Sequence, residues 1–141
     1  MPLPSHLSLQ FVTPERAIVH EHVDEVEVPG EDGYFGVLPG HAPLMAALTV
    51  GQLWYRKGTE IRYAFVAGGF AEVVPDRVSI LAQIAERAED IDVARAEAAK
   101  RRAEDRLARP VADMDFERAR IAFLKALSRL QVAARQSRPR G

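Results

Sequence analysis

The sequence predicts a two-part fold, an N-terminal antiparallel β-sandwich followed by a C-terminal antiparallel two-helix hairpin. Apolar residues alternate with polar ones in short segments between Gly and Pro turns up to about residue 90, which is typical of strands. From Ile91 the apolar spacing becomes helical. The charge also changes sign there, because residues 1–90 contain 6 Lys/Arg against 13 Asp/Glu and residues 91–141 contain 13 against 7.

These patterns divide the chain into a sandwich domain at residues 1–87, a helical hairpin at 88–136 and a flexible tail at 137–141. At 141 residues, 48% of them hydrophobic, the chain is long enough to bury a core. Two helices alone bury little apolar area, so we expect the hairpin to lean on the sandwich, a ligand or another protein.

Each strand of the first part has its own signal. The first alternates with Leu7, Leu9 and Phe11 on one face. In HVDEVEVPG, valines occupy the apolar positions and a Pro-Gly turn follows. Two hairpins come next, one turning at residues 56–60 and the other at Pro75-Asp76.

The second part contains two helical patterns. In the first, a stripe is formed by Ala96, Ala99, Ala103 and Leu107. Asp90 or Asp92 is expected to cap it and Pro110 to end it. The second is expected to be capped by Asp113 or Asp115, and its apolar face consists of Phe116, Ala119, Phe123, Leu127 and Leu130. The connection is short, so the helices should fold back on each other.

Composition excludes several classes of function. The chain has no cysteine, which excludes disulfides, thiolate metal sites and cysteine nucleophiles. No apolar run approaches the roughly 20 residues that span a bilayer, and the N-terminus lacks the pattern of a signal peptide. His20 and His22 would share a strand face, but no third ligand is evident, so we predict no metal site and no catalytic residues.

The segment GYFGVLPGHAPLM (Gly33–Met45) combines three glycines and two prolines with seven apolar residues. One interpretation is a tight turn that leads into a strand, where Gly and Pro serve the backbone. The other is a surface that offers its apolar side chains to a partner.

This segment also carries a family resemblance. VEVPGEDGYFGVLPGHAPLM, FVAGGFAEVVPDRVSILA, AERAEDIDVARAEAAKRRAE and the helix from Asp113 resemble, in order and spacing, the ε subunit of F-type ATP synthases, called δ in mitochondria. The resemblance implies a noncatalytic central-stalk subunit whose sandwich contacts the γ subunit and the c ring. It implies a peripheral position on the cytoplasmic side of a bacterial inner membrane, reached only through the complex.

The resemblance also implies where the partners lie. The turn corresponding to Gly33–Gly40 faces the c ring in that family, and His41 and Pro43 would lie near γ. The rotor interface is then expected to contain Glu31, Asp32, Tyr34, Phe35, Val37, Leu38, His41 and Pro43. The movable hairpin would restrain ATP hydrolysis when extended.

Some bacterial members of that family bind ATP through the motif Ile/Leu-Asp-x-x-Arg-Ala, which Ile91–Ala96 matches. The resemblance therefore implies a regulatory ATP site and no required cofactor, with the residues Glu86, Ile91, Asp92, Arg95, Ala96, Lys125 and Arg129. The alternative is that Asp92 is an N-cap and Arg95 a solvated first-turn residue. The chain lacks the Gly-rich phosphate loop ending in Lys-Ser/Thr, so we expect sensing of ATP, not hydrolysis.

The basic second half has three interpretations: a nucleic-acid surface, a solvated helix pair, or a contact with an acidic segment of the catalytic β subunits. Interspersed carboxylates argue against nucleic acid. The resemblance favours the third interpretation, with the candidates Arg118, Lys125, Arg129 and Arg135. The rival function is a stand-alone ATP-sensing β-sandwich module without a motor partner.

Overall fold

The computed structural model describes residues 3–109 and 113–137. Within them, eight strands are followed by a 3₁₀ turn and two helices. The strands are β1 Leu7–Val12, β2 Ala17–Val23, β3 Glu25–Gly30, β4 Gly33–Val37, β5 Leu44–Ala47, β6 Val50–Lys57, β7 Glu60–Val74 and β8 Arg77–Arg87. The 3₁₀ turn is Ala88–Asp90, and the helices are α1 Val93–Ala108 and α2 Asp113–Ser137.

The strands form the predicted sandwich in the order β2-β1-β8-β7-β6-β3-β4, and β5 pairs with β7. Both predicted hairpins, β6–β7 and β7–β8, are present. Every ladder is antiparallel except that between β1 and β8, which is parallel. A parallel pair needs a long crossover, which the six intervening strands supply. Hairpin signals in the sequence join only neighbouring strands, so they do not predict the pairing of β1 with β8.

Strand β7 pairs with one neighbour along its first half and with a different one along its second half. Residues 60–67 pair with β6 and residues 70–73 pair with β5. Gly68 and Gly69 lie between the two ladders with φ angles of +78° and +114°. A Cβ atom at Gly69 would lie 2.1 Å from the carbonyl oxygen of Leu81, so only glycine allows β8 to pass this close.

The predicted alternation places the core correctly. Leu7, Leu9 and Phe11 are fully buried, as are the valines of β2 and β3, Val23, Val26 and Val28. The turn after them was predicted one step too early. Pro29 and Gly30 belong to β3 and pair with Tyr34 and Gly33, so the turn falls at Glu31-Asp32.

The two helices form the predicted antiparallel hairpin. Asp92 caps α1, because its side chain accepts a hydrogen bond of 3.1 Å from the backbone N–H of Arg95. Ala96 and Ala103 are buried. The end of α1 lies beside the start of α2, since Arg106 and Arg118 line one cavity. The helix end predicted at Pro110 lies outside the described residues, as does the side chain of Asp113. Asp115 lies inside α2, which begins at Asp113, so it does not occupy the predicted cap position.

The apolar face of α2 differs from the prediction at Phe116, which is 42% exposed. Ala119 is buried as predicted, and Phe123, Leu127 and Leu130 are half-buried. The additional buried positions are Ala126, Ser128 and Val132. The reason is that α2 packs on both α1 and the sandwich, so no single stripe describes its buried surface.

The hairpin rests on the sandwich through a second apolar cluster. This cluster consists of Phe65, Ala67, Ala88, Ile91 and Val132. Polar contacts flank it: Gln52 Nε2 donates to Gln131 Oε1 at 2.9 Å, and the Tyr63 backbone N–H donates to Gln136 Oε1 at 3.2 Å. Among the described residues, no helix is long and apolar enough to cross a membrane.

Candidate functional site

A polar cleft of about 350 Å³ opens where the end of β8, the start of α1 and the second half of α2 meet. It is lined by Glu86, Asp92, Arg95, Ala96, Ala99, Arg102 and Arg129. Two alanines in the wall leave room, and three guanidinium groups converge on it. A site of this kind suits an anion, because guanidinium forks match carboxylate and phosphate oxygens.

One ion pair closes the sandwich side of the cleft. Arg129 Nε donates to Glu86 Oε1 at 2.5 Å, and both side chains are less than a third exposed. The guanidinium of Arg129 also lies over the ring of Phe65, 4.4 Å from its centroid. Glu86 and the aromatic face therefore hold this arginine in one orientation at the cleft wall.

The segment after β3 presents a second candidate surface. Tyr34 and Leu38 are 54% and 55% exposed, although Gly33–Val37 is a strand and not a free loop. The Tyr34 hydroxyl accepts a hydrogen bond of 3.0 Å from the backbone N–H of Gln52, which fixes the ring over Gly51. His41 Nδ1 lies 2.6 Å from the carbonyl oxygen of Ala42, so a protonated Nδ1 donates to it.

A third surface is an apolar row across four strands. The register places Val12 of β1 opposite Leu81 of β8, Leu81 opposite Phe70 of β7, and Phe70 opposite Ala47 of β5. Leu81 and Phe70 are 59% and 56% exposed, and they border a largely apolar cavity of about 370 Å³ with Val12. Exposed apolar surface of this extent is typical of protein contacts.

Comparison with known proteins decides the family. The family model described as ATP synthase, Delta/Epsilon chain, beta-sandwich domain matches residues 6–88, and the model for the long alpha-helix domain of the same chain matches residues 89–134. The chain belongs to the ATP synthase delta/epsilon chain family.

Similar delta/epsilon chains agree along nearly their full length. The chain is 50% identical over 127 residues to an ATP synthase epsilon chain of Syntrophobacter fumaroxidans, covering 90% of this chain and 95% of that one. It is 48% identical over 126 residues to that of Nitratidesulfovibrio vulgaris, covering 89% and 94%.

The fold also matches a chain in the cryo-EM structure of the Euglena gracilis mitochondrial ATP synthase (OSCP/F1/c-ring, rotational state 1). The TM-score is 0.82 at 24% identity, and the match covers 95% of this chain and 84% of that chain. At this identity the likeness shows the fold alone.

The structure brings together five of the seven residues predicted for ATP in this delta/epsilon chain. They are Glu86, Asp92, Arg95, Ala96 and Arg129. Ile91 is 8% exposed and packs in the cluster with Phe65 and Val132, so its side chain supports the cleft from below and does not line it.

Lys125, also predicted for ATP, does not line this cleft. It lines a different groove of about 390 Å³, between α2 and the sandwich, together with Leu48, Ile84 and Ile121. The position that adds a cation to the cleft is instead Arg102 of α1. Helical spacing could have found it, because residues 95, 99 and 102 follow i, i+4 and i+7 and share one face.

The predicted rotor interface is accessible except at one residue. Glu31, Asp32 and Pro43 are exposed, and Phe35 and His41 are half-buried. Val37 is fully buried in the sandwich core, so its side chain stabilises β4 from within and cannot meet a partner. The row containing Phe70 and Leu81 was missed. Strand alternation could have found it, since their neighbours Ala71 and Ile80 point inward.

The histidines of β2 and the buried Tyr55 are further titratable side chains of the sandwich. His20 and His22 are exposed on β2, and among residues 3–109 and 113–137 no group of three or more His, Asp or Glu is placed to hold a metal ion. Burial of the Tyr55 side chain raises its pKa to about 12, with the Glu21 carboxylate beside it as the second cause. The Tyr55 hydroxyl donates to Glu21 Oε2 at 3.4 Å, and both side chains line a cavity of about 370 Å³.

Proposed function

We propose that this delta/epsilon chain is a noncatalytic subunit of the central stalk of a proton-translocating F-type ATP synthase. The sandwich couples the c ring to the γ subunit, and the hairpin regulates ATP hydrolysis. The observation that carries the proposal is the match of both domains, in order, to chains named ATP synthase epsilon chain. The complex would hold the chain at the cytoplasmic side of a bacterial inner membrane.

Two surfaces of the sandwich support the coupling role. The strand and turn around Tyr34 and Leu38 offer exposed apolar side chains with Glu31 and Asp32 at the rim, which suits the polar loops of a ring of c subunits. The apolar row around Phe70 and Leu81 supplies a second contact, for γ. A subunit that couples two partners needs two such surfaces.

A binding measurement with purified γ tests this assignment. Phe70→Glu places a charge in the apolar row, and we expect it to weaken binding of γ by about tenfold or more, because an unpaired carboxylate would be desolvated. Val93→Glu is the matched control, since Val93 is also apolar and 44% exposed but lies on α1. Wild-type affinity for γ in Phe70→Glu contradicts the assignment of this row.

The cleft is proposed as a regulatory ATP site. Arg95 and Arg102 face it from α1, and Arg129 faces it from α2, so a triphosphate would bridge both helices. Because the cleft also includes Glu86 at the end of β8, a bound nucleotide would favour the hairpin folded against the sandwich. ATP shifts the equilibrium only through this difference in affinity between the two positions.

An equilibrium titration of the full chain with ATP tests the site. Arg95→Ala is expected to lower the affinity by about tenfold or more, since hydrogen bonds between charged groups are the strong ones. Arg101→Ala is the control, because Arg101 is an exposed arginine of α1 paired with Glu97 and lies outside the cleft. Equal affinity of Arg95→Ala and wild type, or no binding by either, contradicts the proposal.

Inhibition through the basic hairpin remains a separate part of the proposal. When extended, the hairpin would contact an acidic segment of the catalytic β subunits, with candidates Arg118, Lys125, Arg129 and Arg135. Arg129 and Arg135 lie over Phe65 and Tyr63 in the folded position, so extension would free them. Deleting residues 91–141 should raise ATPase activity of the assembled complex, and unchanged hydrolysis contradicts inhibition.

The alternative function, a stand-alone ATP-sensing module, is favoured only by the cleft. It makes a different prediction, because such a module would bind ATP but would not co-purify with γ. The two exposed apolar surfaces on the sandwich have no use in that case. We therefore favour the central-stalk subunit.

A further inference from the structure

Helix α1 separates its charges onto different faces. On one face, carboxylates and cations neutralise each other: Arg101 pairs with Glu97 at 3.9 Å, and Lys100 pairs with Glu104 at 3.7 Å. This is the usual arrangement of a solvated helix.

A second face carries arginines alone. We call it the arginine stripe, and it consists of Arg95, Arg102 and Arg106 of α1 together with Arg109, the C-cap residue that follows the helix. At about 100° per residue the four positions fall within an arc of about 60°. All four side chains are exposed, and none forms an ion pair within residues 3–109 and 113–137. Like charges in a row without counter-charges disfavour the folded state, so an external anion would stabilise it.

Two cavities open along the arginine stripe. Arg95 and Arg102 wall the cleft already described. Arg106 and Arg109 wall a second cavity of about 450 Å³, which also contains Asp115 and Arg118 of α2. With Arg129, six guanidinium groups follow this edge of the hairpin.

Few carboxylates offset them along the edge. The described lining of the two cavities contains three carboxylates, of which Glu86 is engaged by Arg129 and Asp92 caps α1. Of the described carboxylates that line the second cavity, only Asp115 remains to offset its cations, so arginines outnumber carboxylates in the described lining of both cavities.

The shape of the edge indicates the class of anion. From Arg95 to Arg109 the arginine stripe covers 14 residue steps, which is about 21 Å, and this is longer than the three phosphoryl groups of one nucleotide can cover. The described lining of the two cavities contains no aromatic side chain for stacking bases, which argues against a nucleic acid. Small residues, Ala96 and Ala99, wall the cleft between the arginines. A thin chain of phosphates without side groups fits these features.

We propose that this edge of the hairpin binds linear inorganic polyphosphate, from the cleft at the sandwich to the second cavity at the far end. The chain would bridge α1 to α2 at both cavities and so hold the two helices together. The second cavity is independent of nucleotide binding, but ATP and polyphosphate would compete for Arg95 and Arg102.

Calorimetric titration of the full chain with polyphosphates of different length tests the proposal. A chain of many phosphates is expected to bind about tenfold or more tightly than tripolyphosphate at equal phosphoryl concentration, because it releases more counterions. The double variant Arg106→Gln/Arg109→Gln should lose most of that advantage and keep wild-type affinity for tripolyphosphate. The matched control is Arg101→Gln, which removes an arginine from the neutralised face of the same helix and should leave both affinities unchanged.

Several results would overturn the proposal. Equal affinity for tripolyphosphate and the long chain would show that one polyphosphate chain does not bind along the whole arginine stripe. An equal loss in Arg101→Gln would show that only net charge matters. Equally tight binding of polyglutamate or oligouridylate of the same charge would exclude a preference for phosphate chains. Circular dichroism of each variant establishes that the helices are retained.

A parallel ATP titration separates this proposal from the proposed nucleotide site. If the long chain binds through Arg106 and Arg109 while ATP does not bind at all, the nucleotide proposal fails alone. If ATP binds through Arg95 and the long chain gains nothing from the second cavity, the polyphosphate proposal fails alone.

Discussion

The sandwich and the hairpin are stabilised in different ways. The sandwich has a core of twenty buried residues and continuous backbone ladders, with large side chains such as Phe11 and Ile80 fully excluded from water. The hairpin buries alanines between its helices and meets the sandwich through a cluster of five buried residues and a few polar contacts. Regions with few buried apolar contacts open at lower free energy, so we expect the hairpin to open before the sandwich unfolds.

The largest effect is expected in the sandwich core. Phe11→Ala removes a fully buried ring from β1 and should lower the free energy of unfolding by about 3–5 kcal/mol. Urea denaturation followed by circular dichroism measures it. If both parts unfold together in this variant, the hairpin depends on the sandwich; an unaffected unfolding midpoint would contradict the assigned core.

A smaller and local effect is expected where the hairpin meets the sandwich. Val132→Ala shortens a fully buried side chain of α2 in the cluster with Phe65, and should cost about 2 kcal/mol. Hydrogen exchange should accelerate in α2 and stay unchanged in β1 and β8. The matched control is Ile121→Val, which shortens a 40% exposed side chain of the same helix. Faster exchange throughout the sandwich would contradict independent opening.

The cap of α1 should contribute less. Asp92→Ala removes the acceptor for the Arg95 backbone N–H and should destabilise the hairpin by about 1 kcal/mol. Asp92→Asn keeps a capping oxygen and is the matched control. Hydrogen exchange of the first turn of α1 measures the effect. Equal exchange in the two variants would contradict the capping role.

The smallest effect is a dependence on pH within the sandwich. The Gly58 backbone N–H donates to Asp24 at 2.7 Å, and this bond, followed by the His6 side chain, lowers the pKa of the Asp24 carboxyl. A lowered pKa in the folded state stabilises the fold above the unfolded value of about 3.9, and this contribution is lost as the pH falls through the folded pKa. Denaturation of wild type and Asp24→Asn from pH 6 to pH 2 should show a difference that shrinks on acidification. A difference independent of pH would contradict this origin.

The sequence predicts what depends on local spacing. Alternation placed Leu7, Leu9 and Phe11 in the core, and helical spacing predicted the stripe of α1 in which Ala96 and Ala103 are buried. The parallel pairing of β1 with β8 was not predictable, because it joins segments about seventy residues apart and no turn encodes it. Pro29-Gly30 was mistaken for a turn because local propensity for a turn is overridden here by pairing with β4.

The same limits apply to the candidate cleft. Glu86, Asp92 and Arg95 were predicted from the family resemblance, and they line one cleft because they are close in sequence near the start of a helix. Lys125 lies in a different groove, because its position depends on how α2 packs against α1 and the sandwich, which the sequence does not fix. Arg129 was predicted for the cleft, but its packing on Phe65 was not, since β7 and α2 are far apart in sequence.

The joint between the two parts is very short. Strand β8 runs directly into the 3₁₀ turn, only Ile91 and Asp92 separate that turn from α1, and Ala88 and Ile91 are buried. Arg87 also pairs with Asp90 across it at 3.3 Å. A long flexible linker would place no restraint on the hairpin, whereas opening at this short joint would expose the apolar side chains of Ala88 and Ile91 to water. We therefore expect any opening at this joint to cost hydrophobic free energy, which favours return of the helices to the packed position.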